Sequence, residues 1–387
     1  MTLLYLTEDY LYSKVHNNLL ANLLAKDETL KIYVFSPLRK GDPVPETMVN
    51  SFRQNERLIV VTPMIDIPIW LYRYDFWAKL RYKIKMIEKS IPMKLIDAIH
   101  AATLYAEGGV ALRLHKKYHI PYFVSIRGTD AILYTHKMPH LWCMGNRIMK
   151  NANVLSCVTP TIKDKMLSQW QYYPCRKDIR KAEIVTNGVD DVWINNIFRE
   201  VKPLGNPIRI LYIGRFDSNK NVLRLIFAIK KLREKYDVRL TMIGGGGEQH
   251  DAVVKLVEDN SKYLDYLGRI YDKNKLIEIT RQCDMFAMVS HSETFGLVYI
   301  ECLTQGLPIL YSKGTGIDGM YQDGVVGYGV DSMSVDSIME GLNRIIETYP
   351  YIRENILKLD FGRYQWGKLA KSYLKYYEQK KDRNGTS

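Results

Sequence analysis

The sequence predicts an α/β protein made of two doubly wound domains. Three observations predict it. Short apolar runs rich in Val, Ile and Tyr alternate with longer amphipathic stretches, the rhythm of buried parallel strands joined by helices. The rhythm stops at Lys202-Pro203-Leu204-Gly205-Asn206-Pro207, whose Pro and Gly content suits a linker, and then restarts. Finally, 387 residues with 47% hydrophobic content exceed what one core usually organises.

The first strand is expected at the N-terminus, where Leu3, Leu4, Tyr5 and Leu6 run into Glu8 and Asp9 too early for the apolar core of a secretion signal. Further strands follow at 30–35, 57–61, 95–101, 121–126, 153–158 and 183–186. After the linker they fall at 208–213, 238–243, 263–267, 284–289 and 308–311. The expected domains are therefore 1–202 and 207–363, with a tyrosine- and lysine-rich helix in 364–387 packing back on the first. In doubly wound sheets ligands bind outside the carboxyl ends of the strands, so the loops there should carry the chemistry, in a cleft between the two domains.

Composition removes several classes. Cys143, Cys157, Cys175, Cys283 and Cys302 are scattered without a CxxC pair, which fits neither a zinc site nor a disulfide framework and suits a reducing, cytoplasmic setting. No stretch reaches the roughly 18 apolar residues of a membrane span; the run at 58–70 is cut by Pro63, Asp66 and Pro68. The net charge of +13, weighted toward the first 200 residues, favours an acidic partner. Nucleic acid is not expected, because the cations are interspersed with acids and no recognition motif occurs.

Three strand-end motifs carry candidate chemistry. Glu293, Thr294, Phe295, Gly296 and Leu297 follow a strand and open an amphipathic run that includes Glu301. With Thr294 onward helical, a rise of 1.5 Å per residue separates Glu293 and Glu301 by about 12 Å, too far for a paired-carboxylate hydrolase but a good length for a nucleotide sugar. Backbone N–H groups at Phe295, Gly296 and Leu297 could meet the diphosphate between them. In Gly214-Arg215-Phe216-Asp217-Ser218-Asn219-Lys220-Asn221, a strand-to-helix turn could aim Arg215 and Lys220 at that diphosphate. Gly244-Gly245-Gly246-Gly247 permits close backbone approach or is a plain turn, and Gly268 and Arg269 end another strand.

In combination, Gly214-Arg215 with Lys220, the glycine run with Glu248, Leu267-Gly268-Arg269, Ser292-Glu293-Thr294-Phe295-Gly296-Leu297 with Glu301, and Gly306-Leu307-Pro308 resemble the retaining GT-B glycosyltransferases of family four. The resemblance spans the second domain in order. It extends more loosely through Ile99-His100-Ala101, Arg127-Gly128-Thr129-Asp130 and Thr186-Asn187-Gly188. It implies a GT-B fold of two Rossmann-like domains and transfer of a sugar from a nucleoside diphosphate, with uridine the expected base. The acceptor expected is a glycan or lipid-linked molecule of cell-surface polysaccharide synthesis. The resemblance also implies that Arg215 and Lys220 neutralise the diphosphate, Glu293 holds sugar hydroxyls and Glu301 the ribose. Gly214, Gly244, Gly245, Gly268, Arg269, Thr294, Phe295, Gly296 and Leu297 complete the donor site. No metal or other cofactor is expected, these cations taking its place; consistently, no Asp-x-Asp motif occurs.

The acceptor side departs from the family pattern. The first loop has Thr7, Glu8 and Asp9 in place of a glycine pair, leaving Ser13 and Lys14 as candidates, and Arg127 stands where relatives carry a histidine. His100, Arg127, Asp130 and Asn187 complete the expected acceptor set. A sugar-nucleotide epimerase of the same architecture is the enzymatic alternative, drawing its acid and base from His100 and Asp130. A non-enzymatic basic protein that binds lipid or nucleic acid is the other. Lastly, over 69–91 the spacing of Ile69, Tyr72, Phe76, Leu80, Ile84 and Ile87 predicts one amphipathic helix with Arg73, Lys79, Arg81, Lys83, Lys85 and Lys89 between them. It is either a domain helix with a solvated face or an anchor to the anionic inner face of the plasma membrane.

Overall fold

A computed structural model describes residues 1–38 and 56–378; residues 379–387 of the expected C-terminal segment lie outside the described residues. The first sheet contains β1 (Thr2–Leu6), β2 (Lys31–Phe35), β3 (Leu58–Val61), β4 (Ala98–Ala101), β5 (Tyr122–Ile126), β6 (Val154–Cys157) and β7 (Glu183–Ile184). Their order is β3-β2-β1-β4-β5-β6-β7. The second contains β8 (Ile208–Gly214), β9 (Val238–Gly244), β10 (Leu264–Tyr266), β11 (Met285–Ala287), β12 (Ile309–Ser312) and β13 (Gly327–Val330), ordered β10-β9-β8-β11-β12-β13. Every paired strand is parallel, with helices in the connections, so each sheet is doubly wound as the apolar rhythm requires.

The chain divides into two compact units: 1–158, 162–188 and 366 onward form one, and 159–161 with 189–365 form the other. The boundary is Gly188/Val189, not the Pro- and Gly-rich segment at 202–207. That segment is held by the second unit: Lys202 Nζ pairs with Asp284 at 3.0 Å and donates to the Cys283 carbonyl at 2.8 Å. Ahead of it, the Phe198 N–H donates to the Thr304 carbonyl at 2.8 Å. The helix Trp366–Glu378 belongs to the first unit, where Trp366, Leu369, Ala370, Tyr373 and Tyr377 join a core with Leu3, Tyr5, Leu19, Leu20 and Leu23.

Two elements differ from expectation. The strand β13 was not anticipated, because its Gly-Tyr-Gly-Val composition lacks the usual β-branched run. Gly327 lies at φ 147°, and a Cβ there would overlap the Ile309 backbone, so the glycine that hides the strand also lets it pair. The expected helix over 69–91 is two helices, Ile69–Tyr74 and Phe76–Ser90, broken where the Asp75 carboxylate accepts from Ala78 N–H at 2.9 Å. The side chains of Ile69 and Arg73 lie outside the described residues.

Lys79 and Lys83 do not contribute to a solvated basic face. Both turn inward and pair with Glu8 at 2.6 Å, and Lys83, 3% exposed, also pairs with the buried Glu107 at 3.0 Å. Tyr72 adds a hydroxyl to Glu8 at 3.1 Å. Burial opposes the Glu8 charge, but Lys83 and Lys79 outweigh it and hold the carboxyl well below its ordinary range. Burial likewise opposes the Lys83 ammonium, and Glu107 and Glu8 outweigh it.

Candidate functional site

The second unit gathers the predicted donor motifs at the carboxyl ends of β8, β9, β11 and β12, as a doubly wound sheet dictates. Lys220, on the loop after β8, and Glu293, after β11, form an ion pair with side chains only 22% and 18% exposed. The Lys220 ammonium also lies 3.9 Å from the Met288 sulfur. Arg215 projects outward, its side chain 69% exposed, with Nε 3.3 Å from Asp217. One cation is thus fixed and the other can meet an arriving anion.

Asn219 registers the two loops. Its carboxamide accepts from Ser292 N–H at 3.0 Å and donates to the Ser292 carbonyl at 2.9 Å, while its own carbonyl accepts from His291 N–H at 2.8 Å. From the other side, the Thr315 hydroxyl accepts from Glu293 N–H at 2.7 Å and donates to the Glu293 carbonyl at 2.9 Å. Gly316 N–H donates to the same carbonyl at 2.9 Å. Neither Asn219 nor Thr315 was anticipated. Asn219 lies inside the Arg215–Lys220 motif, and the glycines that flank Thr315 after β12 were the available signal.

Gly296, at φ 77°, caps a helix spanning Leu297–Thr304. The helix therefore starts at Leu297 and not at Thr294, because a Cβ at Gly296 would collide with the Tyr299 ring and only glycine takes this turn. Tyr299 N–H donates to the Gly296 carbonyl at 3.0 Å, so the N–H groups of Leu297 and Val298 are the ones without a partner within the helix, and they follow directly on the loop that carries Glu293. Phe295 is buried, its ring 6.1 Å from that of Tyr364, while Thr294, Leu297 and Glu301 are half-buried along this segment.

The four glycines at 244–247 all have positive φ, between 71° and 125°. They form a packed junction, not a slack turn. Gly245 N–H donates to the Gly214 carbonyl at 3.1 Å, Phe216 N–H to the Gly246 carbonyl at 2.9 Å, and Gly244 N–H to the Gly268 carbonyl at 2.8 Å. A Cβ on Gly247 would lie 2.5 Å from the Phe216 carbonyl oxygen. Arg269 reaches back to the Gly245 carbonyl at 3.4 Å. Glu248 accepts from the Ser218 N–H and hydroxyl at 2.6 and 2.5 Å, bonds that hold its carboxyl down to about 2.

The first unit treats its candidates differently. Ser13 is half-buried where the helix Lys14–Lys26 begins, Lys14 is exposed, and Asn187 is half-buried just before the crossing between units. Arg127 is half-buried, its Nε donating to the Ala102 carbonyl at 2.9 Å. His100 and Asp130, expected to face an acceptor, are interior. His100 is 1% exposed, with Tyr377 hydroxyl at 2.6 Å from one ring nitrogen and Ser125 hydroxyl at 3.3 Å from the other. Burial and the Arg127 charge hold it well below its ordinary range, in the neutral form. Asp130 is fully buried and accepts backbone N–H groups of Arg127, Leu104 and Tyr105 at 2.9, 3.1 and 3.4 Å. Burial pushes its carboxyl up to about 7 against those donors. Both residues shape the strand ends, and neither presents an acid or base to solvent, which removes the basis for the epimerase reading.

Comparison with known proteins covers almost the whole chain. The family model described as Glycosyl transferases group 1 matches residues 194–358, and that described as Glycosyltransferase Family 4 matches residues 14–193. The uncharacterized glycosyltransferase MJ1178 of Methanocaldococcus jannaschii is 23% identical over 74% of this chain and 76% of its own length. The alpha-monoglucosyldiacylglycerol synthase of Acholeplasma laidlawii is 25% identical over 77% and 76%. Among solved structures, Anabaena HepE in complex with UDP superposes with a TM-score of 0.69 at 15% identity, over 97% of this chain and 99% of that one.

Proposed function

Because the chain belongs to the group 1, family 4 glycosyltransferases, we propose that it moves a sugar from a uridine diphosphate sugar to a glycan or lipid-linked acceptor in cell-surface polysaccharide synthesis, with retained configuration and no metal. The observation that carries this reading is the Lys220–Glu293 pair beside the Gly296 helix start, with Arg215 exposed next to it.

In such a transfer the sugar becomes oxocarbenium-like while negative charge grows on the leaving diphosphate. Lys220 and the first N–H groups of the Leu297–Thr304 helix stabilise that charge from positions fixed before reaction, and the exposed Arg215 closes on it as the donor arrives. Glu293 holds sugar hydroxyls and is itself steered by Lys220, while Glu301, on the same helix, holds the ribose. Uridine is supported by the fold shared with HepE, whose structure contains UDP, and a lipid-linked acceptor by the Acholeplasma relative. Titrating the protein with UDP in EDTA should give saturable binding, and Arg215→Ala should weaken it by about 1 to 3 kcal/mol through loss of charged hydrogen bonds. Failure to bind without magnesium, or an unchanged affinity in the variant, removes the metal-free diphosphate site. Proton NMR of the product's anomeric centre tests retention separately; an inverted centre rules it out.

A second element of the reading concerns location. Trp70, Tyr74 and Trp77 are 62%, 77% and 38% exposed, and Arg81, Lys85 and Lys89 are exposed on the adjacent helix. Aromatic rings next to cations suit the headgroup layer of an anionic bilayer, here the inner face of the plasma membrane. Among the described residues no helix is long and apolar enough to cross a membrane. Flotation with phosphatidylserine vesicles should recover the protein at low salt and lose it at high salt. Absence from the floated fraction at low salt rejects the anchor.

A further inference from the structure

The second sheet has another polar cluster at its opposite end. Arg209 is the second residue of β8 and Arg239 the second of β9, and the two are direct cross-strand partners. Two residues further along β9, on the same face, Thr241 is the cross-strand partner of Asp265 on β10. The register therefore sets Arg209, Arg239, Thr241 and Asp265 side by side on one sheet face. The helix Lys273–Gln282 covers that face only in part. Its Ile279 and Gln282, with Leu267 and Cys283, wall a cleft of about 250 Å³ over the four.

Both arginines are exposed, and among the described residues neither guanidinium forms an ion pair, nor does Asp265. Like charges placed directly opposite on adjacent strands repel, and an anion between them converts that cost into a two-pronged clamp. The cleft is too small for a nucleotide sugar, being under the usual range for drug-sized ligands. Its arginine end, at Arg209, also lies on the order of 16 Å along β8 from the donor loop that begins at Gly214, taking about 3.3 Å per residue.

We propose that this cleft is a second ligand site, for a small phosphorylated polyol the size of a hexose phosphate. Arg209 and Arg239 hold the phosphate. Asp265, Thr241 and the Gln282 carboxamide supply acceptors and donors for the hydroxyls. The groups that would touch this ligand are none of those assigned to the donor, although Leu267 in the wall adjoins Gly268.

Calorimetric titration of the full chain with glucose 6-phosphate, at saturating UDP, tests it. Saturable one-to-one binding is expected, weakened at least tenfold in the double variant Arg209→Gln/Arg239→Gln and unchanged by Arg215→Ala. Inorganic phosphate should bind more weakly than the sugar phosphate through the same arginines. UDP affinity in the double variant should stay within twofold of the parent, which also reports that the variant is folded. No saturable binding, or equal binding in the double variant, overturns the site. Equal affinity for inorganic phosphate and glucose 6-phosphate overturns the polyol half of the assignment.

Discussion

Lys220→Met should lower kcat/KM for sugar transfer by about 10²- to 10³-fold, the loss typical of removing one preorganised charge-stabilising group. The ammonium is the more enclosed of the two cations, tied to Glu293 and backed by Met288. Methionine keeps most of the lysine's reach and an unbranched apolar stem, so the loop, held independently by Asn219, should keep its place. Two consequences combine. The leaving diphosphate loses a positive partner, and Glu293 is left as an unopposed negative charge facing the same anion. Steady-state rates with the nucleotide sugar, at matched thermal stability, measure the effect. A loss of only a few fold would mean that Lys220 serves Glu293 alone and never reaches the phosphates.

The second large effect is on stability. Lys83→Met should destabilise the first unit by about 3 to 5 kcal/mol, because breaking a buried pair leaves uncompensated charge behind. Lys83 is shared by Glu8 and Glu107; Glu8 retains Lys79, whereas Glu107 keeps, among the described residues, the Thr103 hydroxyl. Adding Glu107→Gln should recover a substantial part of the loss. The pH dependence has a definite sign. Glu8 is held below its ordinary value of 4.5, so its contribution is complete above that pH and disappears as pH falls through the lowered value. The parent should therefore lose stability faster than Lys83→Met between about pH 5 and pH 2. Urea unfolding across that range checks both claims, and parallel acid curves for the two proteins would contradict the second.

The grouping of the candidate donor motifs was legible because motifs at strand ends report their place in a doubly wound sheet. Arg215, Lys220, Glu293 and Gly296 come together because parallel strands deliver their loops to one edge. What periodicity could not report was direction around a helix. Lys79 and Lys83 fall among charged neighbours in sequence, yet they face Glu8 and Glu107, residues distant along the chain. Composition misjudged the 202–207 segment for a related reason: its proline and glycine signal irregular backbone, while side chains such as Lys202 decide what that backbone adheres to. His100 sits on a strand whose neighbours are apolar, and its burial under Tyr373 and Tyr377, the latter 277 residues later, leaves no local trace.

The helix Trp366–Glu378 has a consequence for the order in which the protein matures. It supplies five core side chains to a unit whose strand β1 is made long before it. Domains generally fold as they emerge from the ribosome. Here the first unit cannot complete its core until the helix Trp366–Glu378 has been synthesised, whereas the second has all its residues by Gln365. The loops of Lys220 and Glu293 can thus be in place on a nascent chain whose first unit still exposes apolar surface.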